Sequence, residues 1–108
     1  MSSPKTLLEM AGADLRPAPL SQSTVVVIDA QYEYLDGKLP LPGIKPALAA
    51  ISQLLAKARD AGAPVVHIAH KGRPGGLFDR DGHGGKIIDA ASPQGAEQVI
   101  EKPLPNAF

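Results

Sequence analysis

Val25-Val26-Val27-Ile28 runs unbroken into Asp29, and no other five residues narrow the fold as far. An apolar run of this kind, rich in β-branched side chains, fits a strand buried on both faces, as in the middle of a parallel sheet. Such a strand has no use for a carboxylate inside it. At the carboxyl end, a carboxylate stands where open α/β sheets gather their ligands and their chemistry. Two readings of Asp29 follow: a loop cap that binds nearby backbone amides, or an acid with a chemical task.

The pattern around that strand points to a βαβ unit. The strand covers roughly residues 24–29, and a loop over residues 31–42 follows, in which Gly37, Pro40 and Pro42 exclude a long helix. Residues 43–62 read as the best helix in the chain. Leu48, Ile51, Leu55 and Ala58 recur at i, i+3, i+7 and i+10 and form one apolar stripe. Pro46 near its start and Gly62 past its end fit the usual asymmetry of helix termini. Residues 64–70 give a second strand after a short turn, so the two strands are parallel with a right-handed crossover. Residues 98–102 give a third strand, and residues 87–91 one short helical turn.

Residues 1–22 read as a lead-in, with a short helix over residues 6–10 that Gly12 ends. Residues 71–86 hold seven glycines and prolines and read as a long flexible loop, a mobile lid or a pocket wall, with Phe78 as its apolar contact point. Three parallel strands and one long helix cover a sheet on one face at best. The first strand is too apolar for an exposed edge. Residues 23–108 are therefore expected to be the amino-terminal half of a larger domain, or to be completed by a second chain.

Composition removes several classes of function. Eleven basic and eleven acidic residues cancel, and aromatics are 4% of the chain, so nucleic acid and anionic membranes are not expected partners. The apolar stretches are well short of the roughly 20 residues of a membrane span. No signal-type segment follows Met1, and there is no cysteine in the 108 residues, so a cytoplasmic protein is expected, without disulfides or thiolate metal sites.

Lys102 ends the third strand as Asp29 ends the first. Alone it reads as a solvated lysine. In a right-handed parallel sheet, however, both positions belong to one rim. An acid and an amine brought together there hold each other charged. His70 ends the second strand and could face the same rim, His67 reads as a hydrogen-bonded core residue, and His83 reads as exposed. His67 and His70 are three apart in a strand and point to opposite faces, so they do not chelate one metal. No zinc-type pattern is present, and neither a metal nor a cofactor is expected. The glycine-rich loop is not a P-loop either, since Arg80 and Ile87 occupy positions that would need Gly and Ser or Thr.

Four segments in register resemble the isochorismatase-like cysteine hydrolases, which include nicotinamidases and N-carbamoylsarcosine amidohydrolases. They are Val-Val-Val-Ile-Asp-Ala-Gln at 25–31 followed by Tyr34-Leu35, Ala-Gly-Ala-Pro-Val-Val-His-Ile-Ala-His at 61–70, Pro-Gly-Gly-Leu-Phe-Asp at 74–79, and Val-Ile-Glu-Lys-Pro-Leu-Pro-Asn-Ala-Phe at 99–108. The resemblance implies a Rossmann-like α/β fold, a six-stranded parallel sheet with flanking helices, of which only the first three strands are here. It implies an Asp-Lys-Cys triad in which Asp29 takes the thiol proton and Lys102 stands beside it. It also implies that Tyr34, His70 and Phe108 line the substrate pocket, although Tyr34 and Phe108 fit simple packing equally well. The Asp, His and His cluster of metal-holding nicotinamidases is absent from residues 36–43.

The triad's nucleophile belongs to a later strand-to-helix turn, at least one further βα step of roughly 30 residues beyond Lys102. The expectation is thus a hydrolase of a small amide C–N or vinyl-ether bond, usually a homo-oligomer, whose cysteine lies past residue 108. The alternative is a truncated, non-catalytic α/β fragment that only associates with other chains.

Overall fold

The computed structural model describes residues 4–107. A one-turn helix, α1 (Leu7–Met10), and a 3-10 turn at Leu20–Gln22 precede strand β1 (Val25–Ile28). The long helix α2 (Ile44–Asp60) leads to β2 (Val65–His70), and β3 (Gln98–Lys102) follows a long connection with a 3-10 turn at Asp89–Ala91. The strands form one parallel sheet in the order β1-β2-β3, with Val25 opposite Val65 and His70 opposite Lys102.

Helix α2 forms where the apolar stripe predicts it. Leu48, Leu55 and Ala58 are buried, and Leu55 and Ala58 pack with Val27, Val65, Ala63 and Ala91 as the core. The helix ends in a Schellman motif: the Ala63 N–H donates to the Ala58 carbonyl at 2.9 Å and the Gly62 N–H to the Arg59 carbonyl at 3.1 Å. Gly62 takes φ +73°, which only glycine adopts without strain.

Burial alternates along β2. Val65, His67 and Ala69 are buried, and Val66, Ile68 and His70 are partly exposed. As expected, His67 is a hydrogen-bonded core residue, with Nε2 2.9 Å from Glu97 Oε1. On the face away from α2, Val26, Ile28 and Ile100 are 49%, 50% and 45% exposed. Within the described residues β1 is an edge strand after all, and this apolar face is open. Parallel sheets bury both faces, so the strand's hydrophobicity reflects a cover that these residues do not themselves supply.

Residues 71–86 depart from the flexible loop expected of their glycines. The Gly72 N–H donates to the Phe78 carbonyl at 2.9 Å, and Asp79 Oδ2 accepts the Gly75 N–H at 2.8 Å. A Cβ on Gly85 would stand 2.1 Å from the Asp79 carbonyl oxygen, and one on Gly84 would stand 2.5 Å from Glu33 Oε1. Glycine is used at these two positions for close backbone approach.

Candidate active site

Asp29, His70 and Lys102 end β1, β2 and β3 and meet on one rim, because parallel strands place all their carboxyl ends together. Asp29 leaves its strand with φ +58°, while its N–H still bonds the Ile68 carbonyl at 2.9 Å. That left-handed step brings the carboxylate to Lys102, with Nζ 3.2 Å from Oδ1 and 3.3 Å from Oδ2. Asp29 therefore does not cap the loop; its carboxylate faces an ammonium.

Lys102 is only 8% exposed, which a solvated lysine is not. Its Nζ also donates to the Leu104 carbonyl at 2.9 Å and stands 3.3 Å from His70 Nδ1. An ammonium carries three hydrogens and no acceptor. All three are committed, so Lys102 has no hydrogen left for a further partner. The same count fixes His70: Nδ1 accepts, and the proton of the neutral ring sits on Nε2. Asp29 Oδ1 is the complement. Although it lies 3.2 Å from Nζ, it is buried and has no hydrogen bond among the described residues.

Asp29, Tyr34, His70, Phe78 and Pro105 line a cleft of about 230 Å³ beside this pair. The rings of Tyr34 and Phe78 lie 5.1 Å apart at 59°, and those of His70 and Phe78 5.0 Å apart at 75°. Burial, and then the charge of Asp29, raise the Tyr34 phenol above its ordinary pKa, so it keeps its proton and can donate it to a hydrogen bond. Larger hollows lie along residues 14–22 and beside the end of α2. The first holds only an exposed Asp14–Arg16 pair, and in the second Arg59 is tied to Glu97. Asp29 and Phe78 are the two non-glycine residues with left-handed backbone among those described, and both line the cleft. Strain of this kind gathers at functional sites.

Of the residues singled out from the sequence, Asp29, Lys102, His70 and Tyr34 are thus brought together, and Phe108 lies outside the described residues. His83 is exposed and binds Asp36 at 3.0 Å, away from the cleft. Among the described residues no group of three His, Cys, Asp or Glu could hold a metal ion, and no helix is long and apolar enough to cross a membrane.

Two buried residues that organise the rim had no reading of their own in the sequence. Gln31, fully buried, donates from Nε2 to the His70 and Gly85 carbonyls at 2.8 and 2.9 Å and accepts the His70 N–H at 2.9 Å. Glu33, 6% exposed, accepts the Lys38 and Phe78 N–H groups. The signal available was two polar residues placed two and four positions past Asp29, in a loop that closes on distant chain.

Comparison with known proteins agrees with this architecture. Residues 23–108 match the family model described as the isochorismatase domain. The secreted isochorismatase effector Isc1 of Verticillium dahliae is 38% identical over 100 residues, covering 92% of this chain and 53% of its own length. Streptothricin hydrolase of Streptomyces noursei is 29% identical over 96 residues, 89% of this chain and 36% of its own. The crystal structure of an isochorismatase from Pseudomonas putida superposes with a TM-score of 0.88 at 45% identity, over 98% of this chain and 55% of that one. The chain spans about half the length of the curated relatives it matches first. With a family match over residues 23–108 and the same parallel α/β framework, this chain belongs to the isochorismatase family.

Proposed function

We propose that this chain carries the acid–amine part of a hydrolytic site that cleaves a small amide C–N or vinyl-ether bond, with a cysteine nucleophile supplied from beyond residue 108. For an amide, Asp29 Oδ1 takes the thiol proton and the thiolate attacks the acyl carbon. The tetrahedral adduct then expels the amine, which recovers the proton from Asp29, and water releases the resulting thioester. The Lys102 charge favours thiolate over thiol and steadies Asp29. Tyr34 O–H and His70 Nε2–H are donors for the substrate's oxygen. No cofactor enters the scheme.

The observation that carries this reading is the Asp29–Lys102 pair at 3.2 Å, with Asp29 on the wall of a cleft and its Oδ1 without a hydrogen bond among the described residues. Asp29→Asn and Lys102→Ala in the complete protein test it. Asparagine tolerates left-handed backbone, so the first variant removes the base with little change to the chain path. Turnover should fall about 10³-fold or more in each. Wild-type turnover in either would remove the assigned roles.

The reading also includes a homo-oligomer in the cytoplasm, and sedimentation and cell fractionation test both. A second reading, a non-catalytic fragment that only pairs with other chains, draws on the open apolar face of Val26, Ile28 and Ile100. Intact mass separates the two: a mass well above that of these residues, with a cysteine past Phe108, supports the hydrolase.

A further inference from the structure

Glu33, 6% exposed, is the most deeply buried carboxylate residue among those described, and it has no ion pair there. Its charge is met by backbone. Oε2 accepts the Lys38 N–H at 2.7 Å and Oε1 the Phe78 N–H at 3.2 Å. Its own N–H donates to the Gly84 carbonyl at 2.9 Å, and its carbonyl accepts the Leu39 N–H at 3.2 Å. Two glycines make room for it: a Cβ on Gly37 would stand 2.1 Å from Oε2, and one on Gly84 2.5 Å from Oε1. One side chain thus joins the loop after β1 to the glycine-rich loop 45 residues later.

What it holds there is unusual. Phe78 is a bulky residue at φ +58°, a conformation its side chain disfavours. Its peptide is gripped from both sides, the N–H by Glu33 and the carbonyl by the Gly72 N–H. Phe78 is 8% exposed, and its ring forms one wall of the cleft, against Tyr34 and His70. Tyr34, another wall, is the next residue in the chain after Glu33. Glu33 itself does not line the cleft.

We propose that Glu33 is a positioning residue that sets the Tyr34–Phe78 aromatic wall, and that this wall selects substrates with a flat, aromatic acyl group over small aliphatic ones. The inference rests on the cleft being the substrate site. Glu33 acts through the spacing of two rings and takes no part in the proton transfers of Asp29. Loss of its charge therefore changes which acyl group fits before it changes the rate of a group that needs no wall.

The test is steady-state kinetics of the complete protein on benzamide and propionamide, with wild type, Glu33→Gln and Phe78→Leu. Glutamine turns one accepting oxygen into a donor, which cannot meet both N–H groups. The ratio of kcat/KM for benzamide to that for propionamide should fall on the order of tenfold in Glu33→Gln, through KM, with kcat on propionamide within about twofold of wild type. Phe78→Leu keeps Glu33 and its backbone bonds, and should lower the same ratio. An unchanged ratio in either variant, or equal losses on both amides, overturns the positioning role and leaves the hydrolase reading intact. A wild-type protein that turns over neither amide overturns the amide reading, and the Glu33 proposal with it.

Discussion

Glu97 closes a hydrogen-bonded cluster with Arg59 and His67, and its protonation should lower the stability of the fold in acid. Its Oε2 lies 2.8 Å from Arg59 Nε, and its Oε1 lies 2.9 Å from both Arg59 Nη2 and His67 Nε2. Arg59 joins α2 to this cluster and also binds the Ser92 carbonyl. The Arg59 hydrogen bonds, opposed by burial and helped by His67 and the Gln94 N–H, hold the Glu97 carboxyl at about 2 against an ordinary 4.5. Taken in full that gap corresponds to about 3 kcal/mol, and solvent around this partly exposed carboxylate screens it to roughly 1 kcal/mol. The folded-state value is the lower one, so the stabilisation is fully present above pH 4.5 and is lost as pH falls towards 2. Glu97→Gln should therefore lose roughly 1 kcal/mol of unfolding free energy at pH 7, and the difference from wild type should close between pH 4.5 and 2. Urea unfolding followed by circular dichroism at pH 7, 4, 3 and 2 reads it directly. Wild type and variant share every other titrating group, so their difference isolates Glu97. A difference that stays constant down to pH 2 would show that the carboxylate contributes shape and not charge, and the reasoning would fail.

Two further outcomes follow from the packing of the rim. Gln31→Leu removes the side-chain partner of the His70 N–H and carbonyl and one of two donors to the Gly85 carbonyl, which Arg80 still meets, and should lower stability by about 3 kcal/mol, measured by thermal unfolding. Gly85→Ala drives a Cβ against the Asp79 backbone and should destabilise by more than Gly62→Ala, which meets open space and bears only the cost of its backbone angle, about 1 kcal/mol. Equal melting temperatures for the two alanine variants would contradict the close-approach account.

The strands and the long helix were legible because their signals are local. An apolar run, a period-3.6 stripe and a glycine stop each lie within one window, and β3 was read at the bounds it has. The meeting of Asp29 with Lys102 was legible for a different reason, since the handedness of parallel crossovers fixes which ends share a rim, however many residues intervene. Gln31 and Glu33 obey no such rule. Apart from Lys38 their side-chain partners stand 39 to 54 residues away, and nothing in the local pattern separates a buried staple from an exposed loop residue. The glycines of residues 71–86 were read as freedom for the same reason. A missing Cβ serves flexibility and tight packing equally, and only the neighbours decide.

Asp29 and Phe78 both line the cleft with left-handed backbone. Glycine would satisfy the chain path at both positions without strain, and neither position has it. A non-glycine residue in that region costs about 1–2 kcal/mol, so each side chain must return something the backbone does not need. At Asp29 the return is a carboxylate 3.2 Å from a buried ammonium, from a residue type that tolerates the angle better than most. At Phe78 the residue type does not tolerate it, and the surroundings enforce it: Glu33 from one side, Gly72 from the other, and two rings at about 5 Å. The fold thus concentrates its backbone strain on two walls of one small cleft, one wall a charge and the other an aromatic surface. A cleft that served packing alone would be better built with glycine at both places.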